Sequence, residues 1–455
     1  MRKRAKILSG VKLLAMALLL LLGVGCTSGK SSEESVEMLA DGEVEHTLVM
    51  YLIANNNLEA SLYRNLLDAE EGMKGALPST RLVVYLDNRN ETTLYEIRYR
   101  TYGSGEHVRY CRELKKYPEQ VSTTPEVMRG VLEDVKRLAP SKSYGLVLSG
   151  HGTGWFPKPS SGTSYDKQKV APMGQWGGVE HTFNFERYVP ETRAMGYDLV
   201  MQPDGSYERT DESFISASEI VEGLAPIHFD YIIFDACFMS SVEFLYDLRN
   251  SADYVVASPV EILGVGLPYV EIVRTLMSVQ YDVRNVPEIV LNVYLRDNYF
   301  TATKSLALAV IDCSELEALA EAVADVYASV RVGDYKATIR ERVDMERVQV
   351  LDRMHPAAFY DLEDYVCELA GEGALKEKFL TALGRAVAVV HHTEDIYSLG
   401  YSDDGFSMGY DNIENKVDGV LELCGINTYI PCYNYPTTLS HYFQTSWAKK
   451  IYAVE

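Results

Sequence analysis

Short apolar runs that alternate with segments of helical spacing are the feature that most restricts the possible folds of this chain. The run Thr47–Ala54 is continuous and rich in aliphatic residues, as is typical of a strand buried on both faces. Comparable runs occur at Arg81–Leu86, Tyr144–Ser149, Tyr231–Asp235, Tyr254–Ser258 and Ser305–Ile311. Helical spacing separates them at Leu58–Met73, Pro125–Leu138, Ser216–Leu224, Ser240–Leu248, Tyr269–Met277 and Val286–Tyr294. This alternation predicts an α/β fold, a mostly parallel sheet with helices on both faces.

Other segments surround this pattern. Leu94–Tyr99 and His107–Arg112 are separated by a Gly-Ser-Gly turn and predict a hairpin. Residues 155–213 are rich in Gly, Pro, Tyr and charge and predict a long loop inside a core that spans residues 47–312. After Cys313 the spacing is helical to about Arg347, and short strands follow near Ala386–Val390 and Thr428–Ile430. We therefore expect a helical and mixed C-terminal part over residues 313–455.

The first residues carry the pattern of an export signal. Basic residues at positions 2, 3, 4 and 6 precede an uncharged run from Leu13 to Val24, which is too short to span a membrane. Cys26 directly follows small residues and resembles a bacterial lipoprotein cleavage site. We predict a signal peptide at 1–25, a lipidated Cys26 that anchors the protein to a membrane of the cell envelope or surface, and a flexible tether at 26–46. The alternative is an ordinary secreted protein that is cleaved nearby.

Charge and cysteine content exclude several classes of protein. The formal net charge of −22 argues against a nucleic-acid partner, because binding phosphates requires a basic surface. None of the 7 cysteines form a C-x-x-C pair, so neither a zinc knuckle nor a disulfide framework is indicated. Cys313, Cys367 and Cys424 fit as small core residues. Cys237 requires another explanation.

Two predicted strands end in reactive side chains. One strand leads into Ser-Gly-His151-Gly-Thr-Gly-Trp155, and the other ends at Asp235-Ala-Cys237. Ligands of open α/β sheets bind at the carboxyl ends of strands, where an imidazole and a thiol would form a proton acceptor and a nucleophile. Asp235 lies two residues before Cys237 and therefore faces the same cleft.

Main-chain groups near these residues suit the same chemistry. We expect the N–H groups of Gly152 and Cys237 to face a developing oxyanion, and Gly150 and Gly152 to admit a substrate backbone. A helix that starts near Ser240 would lower the pKa of the Cys237 thiol. The run Asn55–Asn57 either binds substrate or forms a polar turn that caps the helix at Leu58.

The motifs around these residues resemble the clostripain family of cysteine peptidases. The resemblance is carried by Leu48–Glu59, by the His151 motif and by Asp235-Ala-Cys237-Phe-Met-Ser-Ser241, in the family's order and spacing. It continues through Ala257–Tyr269, Tyr360–Tyr365 and Gly425–Pro431. It implies a caspase-like fold and a cysteine endopeptidase over residues 47–455 that acts on proteins or peptides through a thioester acyl-enzyme. The alternative is a surface lipoprotein that keeps the scaffold, binds peptides and hydrolyses nothing.

The resemblance also assigns roles. It implies Cys237 as nucleophile, His151 as general base and acid, and Asp235 as a determinant of cleavage after Arg or Lys. Val265 stands where a polar or acidic residue is expected. Calcium is a possible cofactor by resemblance, although the chain has no D-x-D-x-D-G loop. Self-processing between the His and Cys strands is expected at Lys167 or Lys169.

Overall fold

The computed structural model describes most of the chain beyond its first 41 residues. The described residues are 42–88, 91–101, 106–156, 195–198, 200–201, 207–208, 213–279, 281–297, 301, 303–330, 339–354, 357–401, 407–414, 419, 421–431 and 436–452. Cys26, Lys167 and Lys169 lie outside them. No helix in the described ranges is both long and apolar enough to cross a bilayer.

The strands reproduce every apolar run that the sequence predicts. In chain order they are β1 (Val44–Ile53), β2 (Thr80–Asp87), β3 (Thr92–Thr101), β4 (His107–Lys116), β5 (Ser141–Ser149), β6 (Met195–Tyr197), β7 (Val200–Met201), β8 (Tyr207–Glu208), β9 (Phe214–Ile215), β10 (Phe229–Asp235), β11 (Ala252–Ala257), β12 (Ala307–Asp312), β13 (Tyr360–Asp361), β14 (Val387–His392), β15 (Tyr397–Tyr401), β16 (Ser407–Asn412) and β17 (Asn427–Thr428). Nine of them form the main sheet, in the order β14-β12-β11-β10-β5-β1-β2-β3-β4.

Helices cover both faces of this sheet, as predicted. They are α1 (Glu59–Gly72), α2 (Pro125–Leu138), α3 (Ala217–Leu224), α4 (Val242–Leu248), α5 (Tyr269–Leu276), α6 (Val286–Arg296), α7 (Leu316–Ser329), α8 (Leu362–Ala370), α9 (Ala374–Ala386), α10 (Pro436–Tyr442) and α11 (Ser446–Tyr452), with short 3₁₀ turns at Val283–Asn285, Cys313–Glu315, Ile339–Arg342 and Met345–Arg347. One apolar core lies between the sheet and α1, α5 and α6. The other lies on the opposite face beneath the remaining long helices, α2, α7 and α9 among them.

Local signals explain where several helices begin. The Thr124 hydroxyl accepts a hydrogen bond from the Val127 N–H at 3.4 Å, and Pro125 occupies the first turn of α2, where a missing N–H costs nothing. Ser216 and Glu219 form a capping box at the start of α3. These caps lie within a few residues of the helices they start, so the sequence predicts those boundaries closely.

The five central strands are parallel, and the edges of the sheet are not. Strands β2, β1, β5, β10 and β11 pair in parallel, whereas β3 and β4 form an antiparallel hairpin at one edge. At the other edge β12 pairs antiparallel to β11. Two helices, α5 and α6, lie between β11 and β12 in the chain and pack on the same face of the sheet, and the chain then re-enters the sheet in the opposite direction.

The C-terminal part of the chain completes the same sheet. Strand β14 pairs with β12 and becomes the outermost strand. Helices α7, α8, α9 and α11 contribute buried residues to the apolar core that β5 and β10 also line. The main sheet therefore extends beyond residue 312, where the sequence pattern changes.

Candidate active site

The predicted reactive residues meet because their strands are neighbours. Ser149, the last residue of β5, pairs in register with Asp235, the last residue of β10. His151 and Cys237 each follow two residues later, so both lie at the carboxyl edge of the sheet. They line one cleft of ≈ 460 Å³ together with Asp235. The sequence-based prediction of a shared cleft is confirmed by this arrangement.

The Cys237 thiol is held by the main chain of Ile262. The Ile262 N–H donates to Sγ at 3.4 Å, and the thiol faces the Ile262 carbonyl oxygen at 3.6 Å. Burial, followed by the nearby Glu261 carboxylate, raises the pKa of Cys237 to about 12. The expected lowering by a helix is wrong, because α4 begins only at Val242, five residues after the thiol.

The turn after Cys237 is tight. Phe238 has a φ of 59°, in the left-handed region that side chains other than glycine rarely adopt. Its ring stacks on Phe359 with centroids 4.2 Å apart, and its N–H donates to the Val260 carbonyl at 2.9 Å. These contacts hold the backbone in a conformation that points Cys237 into the cleft rather than along a helix.

Gly152 lies against the backbone of this turn. A Cβ at position 152 would be 2.4 Å from the Cys237 carbonyl oxygen and 2.6 Å from the Cys237 nitrogen. Glycine is therefore required at this position by the Cys237 main chain itself. Gly150 is not restricted in this way, because the nearest atom to a Cβ there is Ile53 Cβ at 3.5 Å, an ordinary contact.

The His151 ring is bound by the turn that follows β1. His151 Nε2 lies 2.8 Å from Asn57 Oδ1. Asn56 holds this turn, because its amide donates to the Ile53 carbonyl at 2.8 Å and accepts from the Leu58 N–H at 2.8 Å. Asn56 thus closes the turn before α1, a helix that has no side-chain cap, and Asn57 contacts the predicted base. The sequence analysis offered substrate binding or a helix-capping turn for this asparagine run, and it did not predict the contact with His151.

Asp235 forms the floor of the cleft and is almost fully buried. Its Oδ2 accepts from the Tyr269 hydroxyl at 2.8 Å and from the Ser149 hydroxyl at 3.2 Å, and the Leu267 N–H also donates to the carboxylate. Burial raises the pKa of Asp235, and these donors oppose the rise. Gly266, with φ of +72°, makes room for it, because a Cβ there would lie 2.7 Å from Oδ2.

Two residues that carried no predicted role support the site. Glu261 accepts from the Ser398 hydroxyl at 2.9 Å and from the Leu399 N–H at 3.1 Å, which fixes the β15–β16 hairpin beside the cleft. Asn427 donates to the carbonyls of Phe238 at 3.3 Å and Pro259 at 2.9 Å. Both residues lie in motifs that carry the family resemblance, but their roles depend on contacts between distant segments.

The other described cysteines lie away from the cleft. Cys313 is buried in the core, and Cys367 and Cys424 pack against it, as predicted. Cys111 packs on the opposite core. None of these described cysteines forms a disulfide.

The described residues do not form an obvious metal site. Within those ranges, no group of three or more His, Cys, Asp or Glu side chains is placed to hold an ion. The described residues therefore offer no ligand set that matches the expected calcium.

Comparisons with known proteins agree with this geometry. The model of the clostripain family matches residues 184–374, a range that contains Asp235 and Cys237. A search of curated protein sequences found no match. A secreted cysteine protease from Bacteroides thetaiotaomicron is similar in structure, with a TM-score of 0.67 and 26% identity over 90% of this chain and 99% of that chain.

Two further structures have the same fold. The Bacteroides thetaiotaomicron secreted protease bound to an irreversible peptide inhibitor gives a TM-score of 0.66 and 25% identity over 90% of this chain and 98% of that chain. An inactive protease zymogen from Parabacteroides distasonis gives 0.66 and 23% identity over 91% of this chain and 99% of that chain, a likeness of fold alone. This chain therefore has a caspase-like fold and is a cysteine protease similar to those of the clostripain family.

Proposed function

We propose that the protein is an endopeptidase in which Cys237 and His151 form the catalytic pair. The supporting observation is that both side chains line one cleft, each two residues beyond the paired strand ends Ser149 and Asp235. His151 takes the thiol proton as Sγ attacks the peptide carbonyl carbon. The peptide C–N bond then breaks, His151 returns the proton to the leaving amine, and a thioester remains on Cys237. Water hydrolyses this thioester and regenerates the thiol.

We further propose that the N–H groups of Gly152 and Cys237 stabilise the oxyanion of the tetrahedral intermediate. Support comes from the close packing of the two main chains, since no side chain fits between Gly152 and Cys237. Two donors fixed in a partly buried cleft stabilise a developing negative charge without reorganising.

Cleavage after Arg or Lys is the specificity that the cleft floor favours. Asp235 is the acid at that floor, beside the buried amide of Asn65. A cation that leaves water to enter this cleft gains a carboxylate partner. Val265 is 41% exposed between the cleft-lining residues Gly264 and Gly266 and supplies no second charge, so the proposed preference depends on Asp235.

The catalytic pair is tested by a peptide acyloxymethyl ketone probe and by turnover of a peptide substrate. Cys237→Ala should abolish both labelling and turnover, and His151→Ala should lower turnover by a factor of about 10²–10⁴, as for a missing general base. Circular dichroism should show both variants folded. If His151→Ala kept more than a few per cent of wild-type turnover, another residue would be the base. If wild type neither labelled at Cys237 nor cleaved peptides, the protein would be a peptide-binding scaffold.

For location, we propose that the protein is exported and anchored through a lipid on Cys26. The observation that carries this proposal is the basic and apolar N-terminal run that ends at Cys26. In a bacterial host, Cys26→Ser should move the protein from the membrane fraction to the soluble fraction and abolish incorporation of labelled palmitate. An unchanged distribution would favour an ordinary secreted protein.

A further inference from the structure

We propose that Asn57 is a positioning residue for His151, and that it selects Nδ1 as the ring atom that exchanges the proton with Cys237. The inference rests on the proposed catalytic pair and adds a member that the pair alone does not require. It is carried by one contact, the 2.8 Å hydrogen bond between Asn57 Oδ1 and His151 Nε2.

The turn after β1 places Asn57 beside His151. Strand β1 is the neighbour of β5, with Leu52 paired to Ser149, so the loops that follow the two strands leave the sheet side by side. Asn56 is completely buried and bonds to main-chain groups before and after Asn57, at 2.8 Å in each case. The position of Asn57 is therefore set by its own backbone before the ring of His151 meets it.

The chemistry of the amide decides the tautomer. An amide oxygen can only accept a hydrogen bond, so His151 Nε2 must carry a proton to bind Asn57 Oδ1. In the neutral ring the lone pair then belongs to Nδ1, which is the atom able to accept a proton. The thiol proton of Cys237 moves to Nδ1, and Nδ1 later gives it to the leaving amine. The ring carries a positive charge between these steps, and the bond to Asn57 stabilises that charge because a charged N–H is the stronger donor.

A purely structural role makes different predictions. If Asn57 only helped to close the turn, its loss would reduce stability and activity without changing the protonation of the ring. The two accounts therefore differ in whether the loss of Asn57 changes the tautomer of the His151 ring and moves the acid limb of the pH profile of kcat/KM.

The tautomer is read directly by nitrogen NMR of the His151 ring in a labelled Cys237→Ala variant. At a pH where the ring is neutral, we expect the nitrogen chemical shift of Nε2 to be that of a protonated nitrogen. The chemical shift of Nδ1 should be that of an unprotonated nitrogen. Adding Asn57→Ala should give a mixture of the two tautomers. A ring protonated on Nδ1 while Asn57 is present would overturn the proposal.

Kinetics test the same point in the active enzyme. Asn57→Ala should lower kcat/KM about 10–100-fold, mostly through kcat, as is typical when a group that orients an imidazole is lost. The acid limb of kcat/KM should move to lower pH, because an acceptor that stabilises the charged ring is gone. Asn57→Asp places a stronger acceptor at the same atom and should move that limb to higher pH.

Asn56→Ala is the matched control, because it loosens the same turn through main-chain bonds. It should lower the melting temperature and move the acid limb less than Asn57→Ala does, because Asn57 itself is retained. Equal losses in Asn56→Ala and Asn57→Ala, with no movement of the limb in either, would show that Asn57 supports the turn only. The catalytic pair has a separate test, because it is wrong if His151→Ala cleaves peptides at the wild-type rate.

Discussion

At Cys237, burial and the main chain of Ile262 act on the thiol in opposite directions. The Ile262 N–H favours the thiolate, whereas burial and the Glu261 carboxylate favour the neutral thiol and prevail. A thiol whose pKa is raised to about 12 is protonated at neutral pH. Reaction at neutral pH then needs a base that removes the proton during attack, which is the role proposed for His151.

The pH dependence of alkylation tests this state of Cys237. In His151→Ala, the rate of iodoacetamide labelling at Cys237 should rise by about tenfold per pH unit across the neutral and mildly alkaline range, because only the thiolate reacts. Labelling of Cys237→Ala, measured by mass spectrometry, gives the background from other cysteines. A plateau below about pH 8 would mean that the thiolate is already formed near the usual range for cysteine, contrary to the effect of burial.

Asp235 provides a second prediction at the residue scale. For substrates with Arg before the cleaved bond, Asp235→Asn should lower kcat/KM by an amount that corresponds to about 1.5–3 kcal/mol of lost charged hydrogen bonding. Substrates with an uncharged residue before that bond should be cleaved as by the wild type. In wild type, Arg should be preferred to Lys, because a guanidinium binds a carboxylate through two parallel hydrogen bonds. The measurement is a set of matched peptides that differ only before the cleaved bond.

The competing account is that Asp235 only supports the cleft floor through Tyr269, Ser149 and Leu267. On that account Asp235→Asn lowers kcat/KM uniformly for all substrates. The pKa of Asp235 is raised, so its carboxylate protonates at a higher pH than an ordinary Asp as pH falls. The preference for basic residues should therefore weaken in mild acid before general activity is lost through unfolding.

At the scale of elements, the site is a set of turns held against one another at the carboxyl edge of parallel strands. The turn after β5 packs on the turn after β10 at Gly152, and the segment of β17 bonds to the latter through Asn427. None of these turns makes the site alone. Their contacts place the thiol, the imidazole and the two proposed oxyanion donors together.

Gly152→Ala tests that packing. The added Cβ would approach the Cys237 main chain to 2.4 Å, so the nucleophile turn must move. We expect turnover to fall at least about 100-fold, because small displacements of reacting groups carry large kinetic costs. Gly130→Ala in α2 is the control, since a Cβ there meets nothing within 4 Å and should stabilise the helix by about 0.5–1 kcal/mol. If the Gly152→Ala variant turned over substrate at the wild-type rate, glycine would not be required at this position.

At the scale of the whole molecule, one sheet joins the segments before and after the long loop. Strands β5 and β10 pair directly from Tyr231 with Gly145 to Asp235 with Ser149. The sequence between these strands is rich in Gly, Pro and charged residues and predicts little regular structure. A cut in that stretch would leave two chains joined through the sheet.

We predict self-processing in this stretch, at Lys167 or Lys169. Incubated wild type should give two fragments on a denaturing gel and one species in gel filtration. Cys237→Ala should remain intact, and replacing both lysines by Ala should remove or relocate the cut. An active wild type that stays one unbroken chain would contradict the prediction, and a cut Cys237→Ala chain would indicate an external protease.

What the sequence determined by itself was local. The run Thr47–Ala54 and the segment Pro125–Leu138 predicted β1 and α2 because burial periodicity and helix caps are encoded within a few neighbouring residues. The shared cleft of His151 and Cys237 was also predictable, since parallel strands that neighbour each other expose their carboxyl ends at one edge.

The tertiary structure alone decided what depends on distant segments meeting. It set the reversed direction of β12, the bond from Asn57 to His151, and the placement of Ile262 and Glu261 around the thiol. The sequence suggested a lowered pKa for Cys237 from a helix at its own turn. The opposite shift arises because burial is produced by the packing of many segments, and no local pattern reports how much water that packing removes from one sulfur atom.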